Sequence, residues 1–246
     1  MPASRQEVVA ALQGALRQGA KSFGNDFVAS GSRALDAELG GGFRRGSLVE
    51  WLAAEGSGAA TLAIIAAQRA AQGFGVTQGS QAIVIVDRQQ QFYPPAAAAL
   101  GLVLSRTIVA RPTTKRDQDW TLTQALRCPA VAAVLCWPDR FDDRAFRRWQ
   151  LAAEAGRSLG LIVRSESARH EPSWAEVRLL VVPVVGGERR RFRLEILRSP
   201  TGGARTMEAK SLEVELSEEG LLHDANTLSP PSQLASSTPV QRSSRA

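Results

Sequence analysis

The chain has 246 residues, 44% of them apolar and 22% charged, enough to bury a full α/β core with most of the chain in one domain. Its net charge is +6 and its pI about 10.3, carried almost wholly by arginine, a balance that suits contact with nucleic acid or with an acidic protein. Two cysteines (Cys128, Cys136) and two histidines (His170, His223) argue against a disulfide framework or a zinc centre. The absence of an early apolar leader or a long apolar run points to a cytoplasmic protein without a membrane span.

Residues 4–17 read as an amphipathic helix: Ser4 and Glu7 have capping-box spacing, and Val8, Val9, Leu12 and Leu16 fall on one face. Residues 21–25 then form a hinge. The N-terminal helix (1–21) thus stands apart from a domain spanning 22–223, and it docks either on that domain or on another protein, with Val9 and Leu12 as the candidate contact residues.

From about Asp26, short apolar runs alternate with helical stretches, the pattern of a parallel sheet covered by helices. Residues 46–52 are the first buried strand and 61–72 the helix after it. The turn between them has the setting of a phosphate-binding loop, whose pattern is Gly, four residues, Gly, Lys, Ser or Thr. Laid on this chain, the pattern falls on Ala53, Gly58, Ala59 and Ala60. Alanine at the last two positions removes the ammonium that grips the β- and γ-phosphates and the hydroxyl that holds Mg²⁺. At roughly 1.5–3 kcal/mol per charge-assisted contact, the loss weakens Mg-nucleotide binding by about two to four powers of ten. Thr61 is a poor substitute, because one step along a helix turns a side chain by about 100°. The nearest cation after the loop is Arg69. Gly56, Ser57 and Gly58 either keep a nest of N–H groups able to hold a bare anion or form only a tight turn. No bound cofactor is expected.

Further along, residues 81–87 are a strand, 95–100 a short helix stopped by Gly101, 106–110 a strand, 117–127 a helix and 130–136 a strand. A longer helix over 142–159, ended by Gly160, precedes a strand at 161–164. Strands at 176–183, 190–197 and 211–216 follow without intervening helices, an antiparallel extension of the sheet. The Ser/Pro/Thr-rich stretch 224–246 reads as a disordered tail. Three denser arginine groups, Arg44–Arg45, Arg140 with Arg144, Arg147 and Arg148, and Arg189 to Arg191, are either solvated faces or contacts for an anionic partner.

Gly31, the segment 35–42 (Leu-Asp-Ala-Glu-Leu-Gly-Gly-Gly), Gly46, Glu50 and the loop 55–58 (Glu-Gly-Ser-Gly) together resemble the entry to a RecA-type core. The triple glycine followed by a short basic stretch and another glycine is similar to the RecA-like mutagenesis proteins of the ImuA family. The resemblance covers about residues 26–216. It implies an α/β fold with a RecA-like core, a mostly parallel sheet flanked by helices with an antiparallel C-terminal extension. It also implies a part in the SOS response and translesion synthesis, beside RecA and translesion polymerase or pseudo-polymerase proteins.

Departures from the RecA pattern are as informative. Gln89 stands where the RecA-type ATPases carry a water-activating glutamate, and Trp137 and Pro138 intervene before Asp139 where a magnesium-supporting aspartate ends the strand. With Ala59 and Ala60, four catalytic positions are altered together, so the expectation is a non-catalytic protein; the alternative is an NTPase with rearranged ligands, Thr61 and Asp139. The second DNA-binding loop of the recombinases corresponds to residues 165–175, a short connection carrying Arg169, His170 and Trp174. Trp174 near Arg169 either stacks on a nucleic-acid base or anchors the loop to the core, and weak single-strand binding through scattered arginines is the third reading.

Overall fold

A computed structural model describes residues 26–72, 81–138, 141–186, 189–201 and 210–225. The helix expected over 4–17, with Val9 and Leu12, lies outside these residues, as do Asp139, Arg140 and the stretch beyond 225.

A two-stranded ribbon opens the domain. Strand β1 (Phe27–Val28) pairs antiparallel with β2 (Phe43–Arg44), and the short helix α1 (Arg33–Glu38) lies between them. Gly40, Gly41 and Gly42 all have positive φ, at 76°, 128° and 114°, and a Cβ on Gly42 would overlap the carbonyl oxygen of Val28. That is the physical content of the triple glycine: it turns the chain tightly enough to return Phe43 against Val28.

The main sheet is built from β3 (Leu48–Ala53), β4 (Ala82–Val86), β5 (Thr107–Ala110), β6 (Val131–Cys136), β7 (Leu159–Ser165), β8 (Val177–Val184), β9 (Arg190–Arg198), β10 (Lys210–Leu216) and β11 (Leu222–Asp224). Its order is β11-β10-β9-β8-β3-β7-β6-β4-β5. From β8 to β5 all pairings are parallel, whereas β8, β9, β10 and β11 pair antiparallel. The helices are α2 (Ala59–Gln72), α3 (Pro94–Ala99), α4 (Lys115–Arg127) and α5 (Asp143–Gly156). Side chains alternate across β3: Val49 and Trp51 join the core beneath α2, and Leu48 joins the core beneath α4 and α5. A mostly parallel sheet covered on both faces, with an antiparallel C-terminal extension, is the architecture expected from the sequence.

Several boundaries differ from expectation by two or three residues, and two of the differences have a clear physical cause. The helix read over 142–159 ends at Gly156, with Arg157 in the left-handed conformation as its cap (φ 55°). Leu159 and Gly160 belong to β7, where Leu159 pairs with Ala133 and Gly160 with Leu48 and Val134. Both glycines are packing positions. A Cβ on Gly156 would overlap the carbonyl of Leu126, and one on Gly160 would overlap the side chain of Leu48, so strand pairing and close helix approach override the helical pattern. At the other end, Asp224 belongs to β11 rather than to the tail. Its carboxylate accepts hydrogen bonds from the Ser32 hydroxyl and the Ala34 amide at the head of α1, a tie that composition alone does not reveal.

The two thiols are placed differently. Cys136 is buried in β6, and burial pushes its thiol well above the usual range, while Cys128 is half-buried after α4. Because the thiolate is the reactive species, maleimide is expected to label Cys128 alone in the native protein and Cys136 only on unfolding. Mass spectrometry of the labelled chain checks this; rapid labelling of both native thiols would contradict it.

Candidate functional site

The loop between β3 and α2 keeps the geometry of a strand-to-helix phosphate loop. Gly56 and Gly58 have φ of 75° and 92°, and α2 begins at Ala59. A Cβ on Gly58 would overlap the ring of Phe192, which reaches the loop from β9 and is itself buried. Beside the loop lies a cleft of about 700 Å³, within the usual range for small-ligand sites. Gly56, Ser57 and Gly58 all line it, as do Ala59, Ala60 and Thr61. The Ser57 amide donates to the Ala54 carbonyl at 3.2 Å, so one of the three N–H groups of the suggested nest is spent within the turn.

The donor set does not fit Mg-nucleotide. The two helix-start positions that supply the ammonium and the hydroxyl are both methyl groups here, at Ala59 and Ala60. The Arg69 guanidinium lies beside Gly31 and does not line the cleft. Two cations do line it: Arg164, which the sequence pattern did not single out and which is committed to carboxylates, and Arg190 of the third arginine group, which packs over the Phe192 ring at 5.6 Å. The cleft therefore has the volume for a small ligand, and its two helix-start positions carry methyl groups.

The opposite wall follows the same pattern. Asp87, directly after β4, turns its carboxylate back to accept from the amides of Gln91 (2.8 Å) and Phe92 (3.2 Å). This holds a tight turn in which Gln90 has φ 57° and Gln89 lines the cleft. An amide has no basic lone pair with which to activate water. Strand β6 stops at Cys136, and Trp137 and Pro138 occupy the wall beyond it. Among the described residues no cluster of His, Cys, Asp or Glu is arranged to hold a metal ion.

Next to the cleft is an ion cluster that the sequence did not reveal. Glu50, at the middle of β3 and fully buried, accepts from Arg164 of β7 at 2.9 Å and from Arg178 of β8 at 2.6 Å. Arg164 also pairs with Glu171 and lies over the Phe141 ring. Arg178 donates to the carbonyls of Ala168, Arg169 and Glu171. The two arginines thereby fasten residues 165–175, including the 3₁₀ turn Glu166–His170, to the sheet.

The nucleic-acid candidates in that connection are not brought together. Arg169 pairs with Glu195 of β9 at 3.2 Å. Trp174 donates its indole N–H to Asp143 and lies under the Arg147 guanidinium at 4.8 Å, so it anchors the connection to α5. In two of the three arginine groups most members also have partners within the domain. Arg44 binds Glu176, and Arg45 is buried with a bond to the Ala70 carbonyl and its pKa pushed down to about 10 by burial and by Arg157. Arg189 and Arg191 both bind Glu215.

Fold and loop together define a RecA-like core. The solved structure of the RadB recombinase superposes with a TM-score of 0.62, covering 80% of this chain and 99% of that one at 17% sequence identity. Among curated proteins, Protein RecA of Arthrospira platensis is 31% identical over 139 residues, covering 51% of this chain and 36% of that protein. Protein RecA of Brevibacillus brevis is 35% identical over 142 residues, covering 51% and 38%. The chain thus spans little more than a third of the length of these relatives. No protein-family model matches it. No helix among the described residues is long and apolar enough to cross a membrane.

Proposed function

We propose that this chain is a non-catalytic RecA-like accessory protein of damage-induced translesion mutagenesis, in the manner that its resemblance to the ImuA family implies. It works by contact with RecA and with translesion polymerase or pseudo-polymerase proteins. The observation that carries the reading is the pair Ala59 and Ala60 at the head of α2, inside a loop and cleft whose geometry is otherwise kept. A relict that had lost its fold as well would not support a binding role; this one retains a full two-sided core.

Two further features favour protein contact. The connection at 165–175, which in recombinases faces DNA, is fastened down by Arg164 and Arg178. Among the described residues, strand β5 is at the sheet edge, with Ile108 57% exposed and Val103 and Leu104 exposed beside it, and an open edge is a template for pairing with another chain. The alternative of an NTPase with rearranged ligands, Thr61 and Asp139, has Thr61 in the cleft lining, while Asp139 lies outside the described residues; it demands Mg-nucleotide binding.

The test is titration of purified RecA from the same cell onto the immobilised chain without nucleotide. Saturable binding is expected, and Val9→Asp with Leu12→Asp should weaken it about tenfold or more, as loss of a helix anchor does, with the melting temperature of the core almost unchanged. Failure of RecA and of the polymerase components to bind would remove the accessory reading. A sharp fall in melting temperature would make the N-terminal helix structural instead.

A further inference from the structure

We propose that the solvent face shared by α4 and α5 is a docking surface for an acidic, amphipathic peptide segment of a partner protein. The inference rests on the reading that this chain acts through protein contacts, and it names the chemistry of one contact.

The sequence spacing builds the surface. On α4, Arg116, Trp120, Thr123 and Arg127 recur at steps of four, three and four, which places them in one stripe. On α5, Arg144, Arg148 and Leu151 do the same. The two helices pack side by side, with Arg148 and the Trp149 indole both bound to Asp119 of α4. Two shallow concavities meet at Arg144 and Arg148. One, of about 400 Å³, reaches Lys115 and Arg116; the other, of about 540 Å³, spans α5 from Thr123 and Arg127 to Trp174.

Charge and apolar area then select the occupant. Arg148 is paired with Asp119, but Lys115, Arg116, Arg127 and Arg144 around it have no carboxylate partner among the described residues, and all four are exposed. Between them, Trp120 is 64% and Leu151 48% exposed. A cationic rim around apolar side chains complements a segment that alternates carboxylates with apolar residues. A nucleic-acid strand fits less well. It presents a phosphate at every nucleotide, and Asp117, Asp119, Asp143 and Glu154 are interspersed among the arginines and repel such a continuous line of charge. Trp174, a stacking candidate by sequence, has its ring engaged by Asp143 and Arg147.

The experiment uses the full chain and a fluorescein-labelled peptide of about twelve residues with Glu and Leu at helical spacing, read by anisotropy at physiological salt. A matched peptide with Ser in place of Leu and an unlabelled oligothymidylate serve as comparisons. Saturable binding of the Leu peptide is expected. Arg127→Glu with Arg144→Glu, or Leu151→Ser, should weaken it about tenfold or more, because these are exposed rim and floor positions. An unchanged melting temperature shows that the variants remain folded. Equal binding by the charge-reversed variant, equal binding of the Ser peptide, or displacement by the oligonucleotide at stoichiometric amounts would each overturn the proposal. None of these outcomes bears on whether the chain binds RecA or nucleotide, so this inference and the accessory reading fail separately.

Discussion

Replacing Glu50 with alanine is expected to destabilise the domain by about 3–5 kcal/mol, the usual cost of removing one partner from a buried ion pair. Both Arg164 and Arg178 lose their shared carboxylate at a position where all three side chains are largely buried. The pair then remains as two like charges, only one of which keeps another carboxylate, Glu171. For a domain of this size each kcal/mol shifts the melting temperature by roughly 2–4 °C, so a fall on the order of 10 °C should be seen by thermal denaturation. Replacing all three residues together, Glu50→Leu with Arg164→Met and Arg178→Met, should recover much of the loss, because a buried triad exchanged for apolar side chains is often neutral. The triple variant should also loosen residues 165–175, whose carbonyls Arg178 holds, with faster amide exchange there than in β3. A fall of less than about 1 kcal/mol for Glu50→Ala would mean that water reaches the cluster and that exposed-pair energetics apply.

The second large effect concerns the loop. Ala59→Lys with Ala60→Thr should raise Mg-nucleotide affinity by about two powers of ten or more, since it returns two charge-assisted contacts of roughly 1.5–3 kcal/mol each. The cleft already has the volume, at about 700 Å³, so the deficit is chemical rather than steric. Turnover should stay at background in this variant, because Gln89 offers no base and the end of β6 carries Trp137 and Pro138. Full turnover by the double variant would show that the Gln89 position is not the defect. Failure to gain any affinity would place the obstruction elsewhere, with the Phe192 contact at Gly58 the first place to look.

Much of the fold was legible because its signals are local. The short apolar runs between helical stretches, the strand-to-helix turns and the switch to helix-free strands after residue 164 depend on neighbouring residues, and each appears within a few residues of where expected. The loop was legible for the same reason: Ala59 and Ala60 follow Gly58 directly. What stayed hidden depends on distant partners. Glu50 meets Arg164 and Arg178 across separations of 114 and 128 residues, and only the register of β3 with β7 and β8 brings them together. A charged residue inside the apolar run Leu-Val-Glu-Trp-Leu was the one available hint. The partner of Trp174 was equally hidden: Asp143, which accepts from its indole N–H, lies 31 residues upstream. Gly160 misled for a related reason: glycine reads as a helix stop, yet this one is a strand residue closely approached by the side chain of Leu48.

The most direct test of the account is calorimetric titration of the purified full chain with Mg-ATP, paired with a steady-state hydrolysis assay on the same sample. The account predicts no saturable heat at millimolar nucleotide and no phosphate release above background, because the two ligand positions at the head of α2 are Ala59 and Ala60. Saturable, Mg²⁺-dependent binding with turnover, both abolished by Gly58→Arg and by Arg190→Ala, would contradict it and establish an NTPase that has rebuilt its phosphate clamp from other residues.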